Sequence, residues 1–318
     1  MTTETAPNPV QQRVLDDLLA VGRRRPPGET ALAERLERIL VEGTATAAER
    51  VPDESGGLFV SKGRLDALAC DGRFLDLLHT PFTGNEASLR GALVHTALEV
   101  DQAGARSRPV EAVIAYAWDR LASGGSRESR TLAGLSDVRA DALRADVLRL
   151  VLDFRDQFPL LPHAWAVRAE PALRVRLHGG RIVLQGRPDL AIGRPTYDRR
   201  RLLLLDYKTG ARYPERHRAD LRFYALLATL KHRVAPFRVA TLYLDEAGWD
   251  VEDPDTALLE TAVRQLVDQI DRAAELSFAT PADSALRLQP SAACGWCTRA
   301  PSCPALRDSG VIRALPAA

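Results

Sequence analysis

The sequence predicts an α/β fold: a mixed central sheet flanked by helices, with a helical N-terminal region and a C-terminal cysteine cluster. Three observations carry this. Up to about Phe158, apolar residues recur mainly at helical spacing. After Trp165 the period changes, and Val167, Ala169, Leu173, Val175 and Leu177 alternate with polar residues as in a strand. Farther on, a helical stretch separates two apolar strands, and a helical crossover implies a parallel pair.

The elements follow in order. The first 50 residues read as charged helices broken by "GRRRPPGE", Gly22 to Glu29, with a restart after Pro26–Pro27. "RVPDESGG" reads as a linker. Ser61 is an N-cap candidate for one helix running through "KGRLDALACDGRFLDLL". A second helix holds "NEASLRGALVHTALEV", "QAGARSRP" is a break, and more helix follows, with "LASGGSRESR" as a surface loop. The alternating strand then meets a hairpin signal, "HGG". Residues 181–192 read as the return strand, "RPTYDRR" as the next turn and "LLLLDYK" as the third strand of a meander. A helix begins near Pro214, where proline suits a first helical position. "FRVATLYLDE" is a fourth strand, and a long amphipathic helix covers "DPDTALLETAVRQLVDQIDRAAEL". The predicted division is a helical region over 1–57, a main domain over 58–308 and a tail over 309–318.

Composition sets bounds. The chain has 318 residues, 46% of them hydrophobic, enough for a sizeable core. Its 43 basic and 42 acidic residues leave a net charge of +1, so any nucleic-acid surface must be a local patch. No run of about 18 apolar residues suggests a membrane span, and the N-terminus lacks a basic segment followed by an apolar one. A cytoplasmic protein is expected. In that setting the four cysteines, Cys70, Cys294, Cys297 and Cys303, point to a metal site before a disulfide framework. Three of them crowd near the C-terminus and Cys70 can supply the fourth thiolate. Soft thiolates select zinc or an iron–sulfur cluster, and spacing leaves both open.

The chemistry concentrates at the end of the third strand. Asp206 and Lys208 are two apart, so they share a strand face. Asp189 follows Pro188 near the end of the return strand, and a hairpin can set it beside Asp206. Two adjacent carboxylates repel and need a cation, and hard oxygen ligands suit Mg²⁺ or Mn²⁺. Such an ion neutralises charge on a phosphate oxygen and acidifies bound water. A lysine beside it can orient water or stabilise developing charge.

These residues carry a resemblance. "GRPDLAIG", "LLLLDYKTG" and "LRFYALL", with an earlier "GALVH" from Gly91 to His95, resemble the PD-(D/E)XK nuclease superfamily in its RecB/AddB-like and CRISPR-associated-exonuclease-like branch. The resemblance implies a restriction-endonuclease-like core. It implies His95, Asp189, Asp206 and the Tyr207 carbonyl as metal ligands, and Lys208 as the catalytic lysine. Tyr224 matches the family's Gln-x-x-x-Tyr helix motif, but Asp220 replaces the glutamine. Glu170 stands where many relatives carry an acid. "SKGRLDALACDGRF" matches with Ser61, Leu65, Cys70 and Phe74, and the resemblance assigns Cys70, Cys294, Cys297 and Cys303 to a structural [4Fe-4S] cluster.

The expected activity is a divalent-metal-dependent DNA exonuclease on single-stranded ends, in repair, recombination or defence. The rival is a catalytically idle iron–sulfur DNA-binding subunit of a repair or CRISPR adaptation complex; a narrower reading is an endonuclease within such a complex. No G-x-x-x-x-G-K-[ST] motif is present, so a helicase or DNA-processing complex would be a separate partner. Eight basic residues lie between Arg194 and Arg218, and the loop carrying Arg212, Arg216 and Arg218 is expected to guide DNA.

Overall fold

A computed structural model describes residues 6–80, 84–279 and 285–309. Residues 310–318 of the predicted tail lie outside the described residues. The N-terminal region holds α1 (Pro9–Leu18), α2 (Thr30–Gly43) and α3 (Ala45–Arg50). The Asn8 side chain accepts from the N–H groups of Val10 and Gln11, and Pro9 occupies a first-turn position that needs no N–H donor. Next come β1 (Leu58–Val60), α4 (Lys62–Ala67), α5 (Asp71–His79) and α6 (Glu86–Ala103). Asn85 and Ser88 close a reciprocal capping box on α6, the helix that carries His95. Helices α7 (Val110–Ser123), α8 (Arg127–Ala133) and α9 (Asp137–Gln157) lead to β2 (Arg168–Ala169), β3 (Leu173–Leu177), β4 (Ile182–Gly186), β5 (Leu190–Ile192) and β6 (Leu203–Lys208). The chain continues with α10 (Pro214–His232), β7 (Arg238–Tyr243), β8 (Gly248–Glu252), α11 (Thr256–Ala274) and α12 (Pro304–Ser309).

The mixed α/β class holds, and several elements are corrected. The single helix expected after Ser61 is two helices parted at Leu68–Cys70, with Cys70 in extended conformation. Ser61 stands at the N-cap position but its side chain makes no cap bond. Strand β1 was not predicted, because three residues are too few to show alternation. The loop "LASGGSRESR" gives way to α8 at Arg127, where the Ser126 side chain accepts from the Ser129 N–H. Both early strands break. Glu170 takes a left-handed φ of 42° and is followed by Pro171, which separates β2 from β3. Pro188 lies in the gap between β4 and β5. The expected three-strand meander is therefore divided between two sheets. Strand β8 was not predicted, although Trp249 and Val251 alternate with Asp250 and Glu252; all five residues are half-buried, and the strand takes its place as the antiparallel partner of β7.

The chain forms two compact units. The first comprises Met1–Ala33, Thr83–Leu173 and Arg187–Leu259. It holds a five-stranded sheet in the order β2-β5-β6-β7-β8. β5 and β6 are antiparallel, β6 and β7 are parallel as the helical crossover implied, and β7 and β8 are antiparallel. The second unit comprises Glu34–Phe82, Arg174–Gly186 and Glu260–Ala318. It holds a three-stranded sheet, β1-β4-β3, in which β1 runs parallel to β4.

The leucine run now has a physical account. β6 lies at the centre of its sheet, so both faces must be apolar. Leu203, Leu205 and Tyr207 join the core formed with α1, α6, α7 and α9. Leu202 and Leu204 are also buried, and strand alternation points them to the opposite face, with Asp206 and Lys208.

Two histidines on α10 couple this packing to pH. Burial pushes His232 down to about 4, helped by Lys231 and Arg168, and burial with the Lys208 charge pushes His217 down to about 4. The unfolded chain takes up these protons near pH 6.5 and the folded chain only near pH 4. Their contribution to stability is complete above the unfolded value and is lost as pH falls towards 4. Thermal unfolding should therefore show a falling Tm from pH 7 to 4.5, with a smaller fall in His232→Gln; equal falls would contradict the account.

Candidate active site

Lys208 is held between two acids. Its Nζ lies 2.6 Å from Asp206 Oδ2 and donates to Asp220 Oδ2 at 2.8 Å. Asp206 and Asp220 expose only 3% and 5% of their side chains. Asp220 belongs to α10, and Tyr224, one turn on, shares its helix face. Burial pushes the Tyr224 hydroxyl well above its ordinary value, and the charges of Asp206, Asp189 and Asp220 push the same way. The phenol thus sits in the field of three carboxylates, with Lys208 opposing. His217, also buried on α10, contacts the Tyr243 hydroxyl at 3.3 Å.

The neighbouring edge is shaped by Pro188. The register pairs Leu205 with Leu190, Leu204 with Ala191 and Leu203 with Ile192. Continued outward, it sets Asp206 opposite Asp189 and Tyr207 opposite Pro188. Proline has no N–H, so the ladder cannot continue through it. The Tyr207 N–H donates instead to Asp189 Oδ2. Leu244 N–H donates to the Lys208 carbonyl on the β7 side, so alternation directs the Tyr207 carbonyl to the β5 side, where the ladder has stopped. The result is a notch in the sheet with Asp189 at its edge.

His95 closes the notch from the other face. Its Nδ1 stands 2.7 Å from Asp189 Oδ1, and its ring meets the Tyr207 ring edge-on. Gly91, one turn earlier, leaves room for the following loop: a Cβ there would lie 3.4 Å from Thr209 Oγ1. Glu170 accepts from Arg187 Nη1 at 3.1 Å, and its N–H donates to the Asp189 carbonyl. A cavity of about 10 Å³ is lined by His95, Glu99, Gln102, Glu170, Asp189 and Tyr207 among others. Burial, then the Asp189 charge, raises the Tyr207 hydroxyl well above its ordinary value.

The structure thus brings His95 against Asp189, and Lys208 against Asp206, and joins the two pairs through the Tyr207 backbone. Among the described residues, no three His, Cys, Asp or Glu side chains already close on one ion-sized point. The donor chemistry still fits a cation. Lys208 is shared by the largely buried Asp206 and Asp220, and the largely buried Asp189 stands against His95, a concentration of acid that favours a cation. Sequence reasoning missed Asp220 as the second partner of Lys208; its spacing from Tyr224 was the available signal. His217, Glu99 and Gln102 had no signal of their own.

Of the three arginines expected on one loop, only Arg212 lies in it; Arg216 and Arg218 stand in the first turns of α10, which starts at Pro214. Arg212 pairs with Asp250 and lies over the Tyr243 ring, and Arg218 donates to Glu215 at 2.5 Å. The cysteines, within the second unit, line one cavity of about 340 Å³ together with Arg73 and Arg299. Backbone N–H groups of Gln289 and Ser291 donate to the sulfurs of Cys70 and Cys294, at 3.4 and 3.3 Å. All four are free of disulfides, and burial raises the Cys297 thiol.

A family model for the PD-(D/E)XK nuclease superfamily matches residues 68–304. The chain belongs to this superfamily. PD-(D/E)XK nucleases typically use Mg²⁺ or Mn²⁺, and the matched span contains every residue of the notch. The mixed sheet with helical flanks agrees with the restriction-endonuclease-like fold of PD-(D/E)XK proteins. No curated protein matches the chain. A solved structure described as "Crystal structure of SSO0001" aligns at 16% identity, covering 86% of this chain and 97% of that one, with a TM-score of 0.35. That likeness is too loose to bear on fold or function. Among the described residues, no helix is long and apolar enough to cross a membrane.

The charge arrangement gives a direct test. Lys208→Met leaves Asp206 and Asp220 without their shared cation and should cost about 3 kcal/mol in denaturant unfolding. Adding Asp220→Asn should recover at least half of that loss, because one of the facing charges is gone. Full stability in the single variant would contradict a buried ion triad.

Proposed function

We propose that the chain is a divalent-metal-dependent DNA exonuclease acting on single-stranded ends. One observation carries the reading: the β5–β6 ladder stops at Pro188, where Asp189 meets His95 and takes the Tyr207 N–H, while on the adjoining strand Lys208 stands between Asp206 and Asp220. Asp189, Asp206 and the Tyr207 carbonyl are hard oxygen donors suited to Mg²⁺ or Mn²⁺, and His95 adds a nitrogen. When bound, the ion supplies charge neutralisation at a phosphate oxygen and a more acidic water. Asp189 holds its orientation through the Tyr207 N–H and the His95 ring. Lys208 is a positioned donor for charge developing on the phosphate, and Asp206 and Asp220 fix where its ammonium stands. Tyr224 contributes a buried hydroxyl to the same field.

The cysteine cavity supports a [4Fe-4S] cluster held by Cys70, Cys294, Cys297 and Cys303. Four thiolates around a single zinc, at about 2.3 Å each, leave almost no space between them. Here the sulfurs border a cavity of about 340 Å³, with Arg73 and Arg299 as cationic complement to the thiolates. The role is structural, tying Cys70 to the distant C-terminal segment. A cytoplasmic protein working beside a separate helicase or DNA-processing complex is the setting that suits this assignment.

End-labelled single- and double-stranded DNA, linear and circular, tests the activity with Mg²⁺ or Mn²⁺. Linear single strands should be degraded and circles spared, with Asp206→Ala and Lys208→Ala at least 100-fold slower. Cutting that either variant leaves unchanged would refute the site, and cutting of circles would make the enzyme an endonuclease. For the cluster, anaerobically purified protein should absorb in the visible range and contain about four irons per chain. Cys294→Ser should lose colour and lower the Tm; a colourless, zinc-loaded wild type would overturn the assignment.

A further inference from the structure

The first unit carries a cleft of about 1160 Å³ that the proposed chemistry leaves unused. Arg23, Arg24 and Arg25 form one wall, and Arg194, Arg199 and Arg201 the other. Asp198 is the one carboxylate among its described lining residues, and it is shared by Arg199 and Arg201 at 3.5 and 3.4 Å. Arg23 reaches Asp253 only at 3.9 Å. Arg25 lies 3.7 Å over the Phe237 ring, and its guanidinium is disfavoured by burial and then by the charges of Arg201 and Arg238. Positive charge is therefore concentrated in a concave surface beyond what nearby acids neutralise, which focuses field on an anion.

The cleft is built rather than incidental. Its walls come from distant parts of the chain and are joined by backbone hydrogen bonds. The Arg200 N–H donates to the Pro26 carbonyl at 2.9 Å, and the Gly28 N–H to the Asp198 carbonyl at 3.4 Å. The contact demands glycine, since a Cβ at Gly28 would come 2.2 Å from the Tyr197 carbonyl oxygen. Two aromatic rings accompany the arginines. Trp165 lines the cleft partly exposed, and Tyr197, in the wall turn, is 65% exposed. Arginines interleaved with available aromatic faces suit an unpaired strand, whose phosphates meet the cations while its bases stack.

We infer that this cleft is a second strand-binding site, holding the backbone of an unpaired nucleic-acid strand whose other part lies at Asp189 and Asp206. This rests on the nuclease reading. Arg201 precedes Asp206 by five residues, and β6 carries the chain from one to the other, so the two places are about 17 Å apart. β6 is buried on both faces, so a strand passes over the surface, and at about 3.4 Å per stacked nucleotide it needs at least about five phosphates to reach both places. Substrates shorter than this reach one place and not both.

The test uses the full-length protein with Arg24→Glu and Arg194→Glu combined. Fluorescence anisotropy with a 20-nucleotide single strand, without divalent metal, should show binding at least 10-fold weaker. The slope of log Kobs against log salt should flatten by about 1.4 for two lost phosphate contacts. With Mg²⁺ or Mn²⁺, cleavage of the 20-mer at low concentration should fall by a similar factor, while a four-nucleotide substrate is cut within twofold of wild type. The Arg24→Gln and Arg194→Gln pair should bind weakly too while keeping or raising the Tm, which separates lost contact from lost folding. Binding of the 20-mer within twofold of wild type would overturn the inference. So would tighter binding of a 20-residue polyglutamate than of the 20-mer, which would assign the cleft to an acidic protein segment. If wild type cuts neither substrate, the nuclease reading fails, while the metal-free binding result still decides whether the cleft holds a strand.

Discussion

Lys208 stands inside the fold against two carboxylates, and the arrangement of the first unit's site follows from that buried charge. An ammonium 2.6 and 2.8 Å from Asp206 and Asp220 satisfies the pair while fixing its own position. Removing water from three charges is costly, and only short, well-aligned contacts offset it. That cost explains why the groups sit on the most rigid supports available. Asp206 and Lys208 end a strand buried on both faces, and Asp220 lies on a helix whose inward residues are almost all buried. An ammonium held this way needs little reorganisation when negative charge develops near it.

Pro188 does for Asp189 what the leucines do for Asp206. By ending the β5–β6 ladder it frees the Tyr207 N–H for the Asp189 side chain and leaves the Tyr207 carbonyl facing the same gap. The two faces of the sheet then share the work. One supplies His95 and the aromatic packing around Tyr207; the other supplies Asp206, Lys208, Asp220 and Tyr224. The proline is thus more than a helix or strand breaker in the sequence: its missing N–H shapes the site.

The parts most legible in the sequence were those whose local signals agree with their tertiary role. β6, α10, β7 and α11 combine clear periodicity with long runs, and all appear where expected. β1 and β8 were not read because such short strands gain their identity from partners, here β4 and β7. The split of the return strand was readable in Pro188, which argues against a continuous strand. At the site, Asp206 and Lys208 follow from alternation alone, whereas Asp220 becomes meaningful only once α10 is packed on β6. The arginine cleft was hidden for a stronger reason. Arg23–Arg25 and Arg194–Arg201 are far apart in sequence and are brought together by backbone contacts of Pro26, Pro27 and Gly28.

The central claim is that the notch at Pro188 holds a divalent cation through Asp189 and Asp206. Anomalous diffraction from crystals grown with Mn²⁺ tests it most directly, because the scattering locates the ion without reference to activity. The account predicts a peak within bonding distance of both carboxylates and the Tyr207 carbonyl, lost in Asp189→Asn. A peak coordinated instead by Glu99 and Glu170, or none at the notch at millimolar Mn²⁺, would contradict it.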